Sequence, residues 1–405
     1  MDPIVTSVKF YGGIFMYLIG IDIAKYKHDC FIMDEHGQVI RDSFSFDNSQ
    51  EGFNYLLDVL KSLDRSQEIK IGLEATGHYG INLKLFLNDN GYSFMEFNPL
   101  LVKRFASSHS LRRTKTDKCD ASLIASVLSD ATIEYKPYRF SSYHIQELKS
   151  LTRERESIIK QRSLQLIHLT NILDKIFPEY KAFFNNRLQG TALFILEKFK
   201  SPSRIAKLNN HDIDLIHNHS RKIPASKIFK LKELAKKSIG NETKYNISLL
   251  KSILNIYRVL DDEVSFLESQ IIEIMNQYDS PIASIPGISL ISAASLIGEF
   301  EDISKFDNPN QLVAFAGVDP SRNQSGTMDF NGHMVKHGSG HIRYVLFNVA
   351  MTVIVHNPTF YQYYHKKRSE GKCHRVALSH VVKKLIRVIF KLEKDNLMFN
   401  SNFLR

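Results

Sequence analysis

Four acidic residues stand where an acid is costly or where spacing gives a pair one direction. Asp22 lies between Ile21 and Ile23 inside Tyr17–Ala24 (YLIGIDIA), a run short and apolar enough to be a strand covered on both faces. A carboxylate buried there costs several kcal/mol unless a cation compensates it. Glu74 poses the same problem at the end of Ile69–Leu73, just before Ala75-Thr76-Gly77. Asp117 and Asp120 are three apart in the first turn and a half of a helical pattern, so they share one face, at the helix end that favours anions. Brought together, four carboxylates repel unless hard cations lie among them, and an all-oxygen donor set suits Mg²⁺. Two such ions about 4 Å apart clamp the attacking and leaving oxygens of a phosphodiester displacement. Three of the four also have ordinary explanations: Asp117 as a helix-start charge, Asp120 as a surface residue, Glu74 as a solvated strand end. Asp22 has no such explanation, and the joint pattern favours the cluster.

Six basic residues, Lys103, Arg104, Arg112, Arg113, Lys115 and Lys118, precede or overlap the Asp117/Asp120 pair. They suit a phosphate backbone beside a metal site, or a solvated loop. The whole chain of 405 residues carries 53 Lys and Arg against 43 Asp and Glu, a formal charge of +10, which points weakly to a polyanionic partner. With 43% hydrophobic and 24% charged residues, wholesale disorder is excluded. No apolar run approaches the ~20 residues of a membrane span. Met1–Gly20 is apolar but has no small-residue cleavage site, so no signal peptide is expected. The three cysteines, Cys30, Cys119 and Cys373, form no C-x-x-C pair. That argues against a disulfide framework or zinc site and predicts a cytoplasmic protein.

The elements that must position the acids read as strands over Tyr17–Ala24, Lys27–Asp34 and Val39–Phe46, a helix over Glu51–Leu63, and a strand over Ile69–Ala75. A helix over Gly80–Asn90 and a strand over Tyr92–Phe97 follow, then a helix from about Leu101 and another over Asp117–Ser129 with Thr116 as its N-cap. Three strands followed by strand–helix alternation predict a mixed α/β sheet with helices on its faces, the order of an RNase-H-like, Holliday-junction-resolvase-like domain. From about His144 the chain becomes long charged helix. Leu250, Ile253, Tyr257, Leu260, Val264, Leu267, Ile271 and Ile274 form a coiled-coil seam. The earlier helix, Leu148–Phe177, places Arg155 and Arg162 on its seam; the two helices either pair as an antiparallel hairpin or pair with a second subunit. The expected division is an extension over 1–15, the α/β domain over 16–140, a helical coiled-coil region over 141–280 with an insertion at about 180–245, and a mainly α-helical domain over 281–405. Within the last, Ser284–Ser289 reads as a helix-hairpin-helix-like motif or an ordinary helical turn. Tyr361–Lys394 reads as one basic helix, either tracking a phosphate backbone or forming a solvated face.

Gly20-Ile21-Asp22-Ile23-Ala24-Lys25, Leu73-Glu74-Ala75-Thr76-Gly77 and Lys115–Ala121 together resemble the DEDD transposases, bridge-RNA-guided recombinases of bacterial insertion sequences related to Piv-type DNA invertases. Further matches are Ile285-Pro286-Gly287-Ile288, Phe315-Ala316-Gly317-Val318, Asn323-Gln324-Ser325-Gly326 and Lys336–Arg343. The resemblance implies a composite site. Asp22, Glu74, Asp117 and Asp120 would bind Mg²⁺, and Ser325 would be a nucleophile that holds a DNA phosphate covalently during strand exchange. It also implies a structured non-coding guide RNA as partner alongside donor and target DNA, and a homodimer or homotetramer built partly by the coiled-coil region. Ser325 by its local sequence alone is a turn residue before Gly326; the resemblance is what assigns it chemistry, with Ser339 as a weaker rival. Arg322, Lys336 and Arg343 are candidate phosphate or RNA contacts. Residues Met1–Phe15 precede the family's usual start, so Met16 is a candidate initiator. The competing readings are a metal-dependent junction nuclease without serine chemistry, a DNA invertase of the same family, an actin-like ATPase (which lacks its further glycine-rich loops here), and a silent nucleic-acid-binding scaffold.

Overall fold

The computed structural model describes residues 16–400 except 65, 76, 110–116, 139–142, 186, 221–222, 326–327, 335 and 337, and describes the backbone alone at 109, 117–119, 143, 320–325 and 328–333. The chain divides into two compact units at residues 140 and 141.

The first unit is built on a five-stranded sheet of β1 (Met16–Ile23), β2 (Lys27–Asp34), β3 (Val39–Asp47), β4 (Glu68–Glu74) and β5 (Phe94–Phe97), in the order β3-β2-β1-β4-β5. β2 is antiparallel to β1 and β3, whereas β1, β4 and β5 run parallel. Parallel strands need crossovers, supplied here by helices. α1 (Gln50–Ser62) starts on a Ser49 cap and leads into β4; α2 (Ile81–Asp89) leads into β5; α3 (Pro99–His109) and α4 (Asp117–Ser129) follow. Strand alternation divides the apolar residues between two layers. Ile19, Ile21, Ile71 and Leu73 join Leu56, Leu60, Leu83 and Leu87 in one core, while Leu18, Phe31 and Met33 pack with Ala121 and Ala125 of α4 in the other. Burial on both sides is why β1 is almost wholly apolar. A mixed sheet faced by helices was expected, and that is what forms.

The second unit is mostly helical. Two long helices, α5 (Tyr143–Ile176) and α11 (Lys244–Met275), lie antiparallel, since Arg155 meets Glu268 while Arg162, a turn and more later, meets the earlier Asp261. The two arginines that spoil the apolar seam of α5 therefore bind acids of α11. The seam of α11 is buried at Leu250, Ile253, Val264, Leu267, Ile271 and Ile274. Between them, α6 (Glu179–Phe183), α7 (Thr191–Phe199), α8 (Pro202–Ala206), α9 (Asn210–His219) and α10 (Ala225–Lys236) close a core of their own over the adjoining ends of α5 and α11.

The remainder comprises α12 (Leu290–Phe300), α13 (Pro309–Phe315), a hairpin of β6 (Pro320–Ser325) and β7 (Met328–Met334), α14 (Gly340–His356), α15 (Pro358–Ser369) and α16 (His374–Asp395). Their core includes Leu296, Phe300, Leu312, Leu346, Val353, Phe360, Leu385 and Ile389. Two features differ from the sequence expectation. The mainly helical part contains a β-hairpin, and the basic tail is two helices rather than one, because Gly371 takes a left-handed turn at φ +80° between α15 and α16. At Ser284–Ser289, Gly287 (φ +98°) presses on α14, where an added Cβ would come within 2.8 Å of Val353 Cα. That glycine serves helix packing.

Candidate active site

The carboxylates of the first unit are positioned by two glycines. Gly20 and Gly72 are direct partners across the parallel pair β1/β4, and both face α4. A Cβ on Gly20 would stand 2.5 Å from the backbone nitrogen of Ala125 and closer still to the carbonyl oxygen of Ala121; on Gly72 it would meet Ile124 and Leu128. The bare strip lets α4 lie directly on the sheet. Asp22 and Glu74 are each two residues beyond a glycine of this strip, hence on the same face and at the C-terminal ends of adjacent strands. Ala121, which directly follows Asp120, already lies against Gly20, so the first turn of α4, with Asp117 and Asp120, starts over the sheet face that carries Asp22 and Glu74. Asp22, Glu74 and Asp120 are each half-buried.

Asp29 is a residue that sequence reasoning passed over. It is paired in register with Asp22 across β1/β2, which sets their Cβ atoms about 5 Å apart on one face. It is 4% exposed, and Ser45, its partner in register on β3, donates a hydrogen bond to Oδ1 at 2.5 Å. The sequence shows an acid between His28 and Cys30, but its place opposite Asp22 is a matter of register that the strand's own pattern does not contain.

All these donors are carboxylate oxygens, the chemistry a hard divalent cation requires. Among the described residues no three His, Cys, Asp or Glu side chains already stand close enough to hold one ion together; the side chain of Asp117 lies outside that set. Mg²⁺ commonly takes one or two protein carboxylates, with water and substrate phosphate filling its shell, so the donor set fits such an ion.

Of the basic cluster, Lys103 and Arg104 are exposed on α3. Arg112, Arg113, Lys115 and the proposed cap Thr116 lie outside the described residues, as does the side chain of Lys118.

In the second unit, Ser325 ends β6 and pairs with Met328, so it stands at the tip of the hairpin; its side chain and that of Arg322 are outside the described set. Ser339 is committed elsewhere. Its hydroxyl accepts from the backbone N–H of Ile342 as the N-cap of α14 and donates to Oε2 of Glu299 at 3.1 Å. Glu299, 3% exposed, is also gripped by Arg153 through two hydrogen bonds of 2.5 and 3.1 Å. Arg343 is half-buried and donates to the carbonyl of Gly338 at 2.6 Å, beside Gly317. It clips Phe315–Val318 to the start of α14, while Lys336 is exposed.

Residues 19–178 match a DEDD transposase domain of the IS110 type, and residues 279–365 match the transposase domain of the IS116/IS110/IS902 family. The chain belongs to the IS110 family of transposases. A pilin gene-inverting protein of Moraxella bovis is 24% identical over 95% of this chain and 97% of its own. The transposase for insertion sequence element IS1111A of Coxiella burnetii is 23% identical, covering 84% of this chain and 78% of its own. An insertion element IS110 protein of Streptomyces coelicolor is 21% identical over 96% of each. The family is one of DNA-acting enzymes, and its DEDD domain points to dependence on a divalent metal. Among the described residues no helix is long and apolar enough to cross a membrane.

Proposed function

We propose that this transposase cuts and rejoins DNA by a serine nucleophile working with Mg²⁺ held at an RNase-H-like carboxylate face. The observation that carries the proposal is the glycine strip of Gly20 and Gly72, which lets α4 turn its acidic first turn toward the strand ends bearing Asp22 and Glu74. Asp22, Glu74, Asp117 and Asp120 hold the ions, and Asp29 adds a buried fifth carboxylate. When bound, the ions supply Lewis-acid activation of a hydroxyl and neutralise charge on the phosphate.

Ser325 Oγ attacks the phosphorus. An O–P bond forms, the bond from phosphorus to a deoxyribose oxygen breaks, and that oxygen takes a proton as it leaves. The phosphoserine keeps one phosphodiester bond in store, so a second strand's hydroxyl restores DNA without ATP. Two observations support Ser325 over Ser339: its place at a hairpin tip, and the use of the Ser339 hydroxyl in capping and in binding Glu299. A structured guide RNA is part of this reading through the family resemblance and the chain's net positive charge. A homodimer or homotetramer is part of it too. On α11, Leu249, Ile256, Val259 and Phe266 are 46–67% exposed on faces that α5 leaves uncovered, an apolar surface suited to a second copy.

Ser325→Ala should abolish the covalent protein–DNA adduct seen after denaturing electrophoresis while leaving DNA binding intact; an adduct from that variant removes the serine from its role. Asp22→Ala should keep nucleic-acid binding and lose metal-dependent recombination. A nuclease without serine chemistry would instead lose cleavage in Asp22→Ala and retain it in Ser325→Ala.

A further inference from the structure

Between Tyr361 and Asp395 there are ten Lys and Arg against three Asp and Glu, so this short segment carries +7 of the chain's formal +10. The matched transposase domain ends at residue 365, which leaves all ten cations outside it. The structure carries them on α15, on the turn that follows it and on α16. α16 turns Ala377, Leu378, Val381, Val382, Leu385, Ile386 and Ile389 into the core, which obliges its cations to the opposite side. Lys383, Arg387 and Lys391 follow at four-residue intervals, a ridge with a rise of about 6 Å per step. Lys366, Lys372 and Arg375 gather at the turn around Gly371 that joins α15 to α16.

The acids do not cancel this charge. Glu370 engages Lys367, Asp395 engages Lys391 and Asp319 engages Lys383, which leaves the other cations of the segment, and burial pushes the Glu393 carboxyl up, toward its neutral form. Among the described residues no carboxylate pairs with Lys366, Lys372, Arg375 or Arg387. Aromatic rings are set between the cations: Tyr361 lies 4.2 Å from His365, and the Tyr364 hydroxyl is 2.7 Å from Nδ1 of His374, tying the two helices across their turn.

We propose that the α15–α16 turn and the outer face of α16 bind the phosphate backbone of duplex DNA. Lys366, Lys372 and Arg375 around the turn and Arg387 on α16, which no carboxylate among the described residues pairs, suit a polyanion, and DNA is the polyanion that transposition brings to this protein. The surface does not depend on the serine or metal assignments above.

The test uses the full chain and a short duplex of random sequence, with binding followed by fluorescence anisotropy over a salt series. The variant is the triple Lys366→Gln, Arg375→Gln and Arg387→Gln. Each lost phosphate contact lowers the slope of log affinity against log salt by about 0.9, so three contacts lower it by about 2.7. Between about 50 and 200 mM salt, wild-type binding should then weaken about 40-fold more than the variant's. Lys366→Arg with Arg375→Lys and Arg387→Lys should behave as wild type, because charge and not shape is read. An unchanged slope for the Gln variant overturns the inference. So does a lowered slope for an RNA hairpin with none for the DNA duplex.

Discussion

Gly20→Ala tests the packing on which the carboxylate face depends. The new methyl would sit 2.5 Å from the backbone nitrogen of Ala125 and nearer still to the carbonyl oxygen of Ala121, against the 3.4 Å at which ordinary contact begins. Both obstacles are helix backbone, so no rotamer change relieves them, and α4 must retreat from β1 by about 1 Å. Overpacking of this kind costs about 3 kcal/mol, the upper part of its usual range. For a unit of this size that corresponds to a fall in Tm of about 12 °C. The same shift carries Asp117 and Asp120 away from Asp22 and Glu74. Gly72→Ala is the internal comparison. Its obstacles are the side chains of Phe97, Ile124 and Leu128 at 2.7 to 3.1 Å, which can turn aside, so the cost should be about 1 kcal/mol. Thermal unfolding of the full chain reads the first effect, and calorimetric titration with Mn²⁺ reads the second. A Gly20→Ala protein that melts with wild type and binds Mn²⁺ equally would refute the account of α4 lying directly on the glycine strip.

Ser339→Ala should lose about 1 kcal/mol from the missing cap of α14 and still form the covalent DNA adduct; denaturant unfolding and adduct electrophoresis check the two halves. Glu301 should make the second unit acid-sensitive. Burial alone would raise its carboxyl, but the Lys149 hydrogen bond at 2.7 Å and charge, joined by Lys305 at 3.0 Å, hold it down to about 2. A folded value below the unfolded one gives stability that is complete above about pH 4.5 and lost as pH falls toward 2. Glu301→Gln should therefore flatten unfolding midpoints across that window and nowhere above it.

The pattern of the chain was strong where periodicity and cost coincide. The apolar run of β1 announced a doubly covered strand; Asp22, expected to be buried within it, is half-buried, because it lies next to the strand's C-terminal end. The seam of α11 was legible from its spacing, and so was the succession of strands and helices that gives a mixed sheet. Asp29 was not legible, since its significance is a pairing register: the residue opposite Asp22 is set by how β1 and β2 align, which single-strand patterning does not contain. The hairpin bearing Ser325 was missed because Pro320–Ser325 is polar throughout, although β7 carries Met328, Phe330 and Met334 in the two-residue register of a strand. Gly371 likewise hid the break in the basic tail inside an otherwise continuous helical pattern.

Sequence by itself determined which residues are able to do chemistry here, because composition and local spacing fix charge, hydroxyl groups and the face each side chain takes on its own helix or strand. Only the tertiary structure decided which of them meet. It set Asp29 across from Asp22, spent Ser339 on Glu299 and Arg343 on Gly338, and let two glycines bring an acidic helix end toward two strand ends. Those outcomes depend on register and close approach between distant segments, and the free energy that selects them comes from packing the whole unit at once.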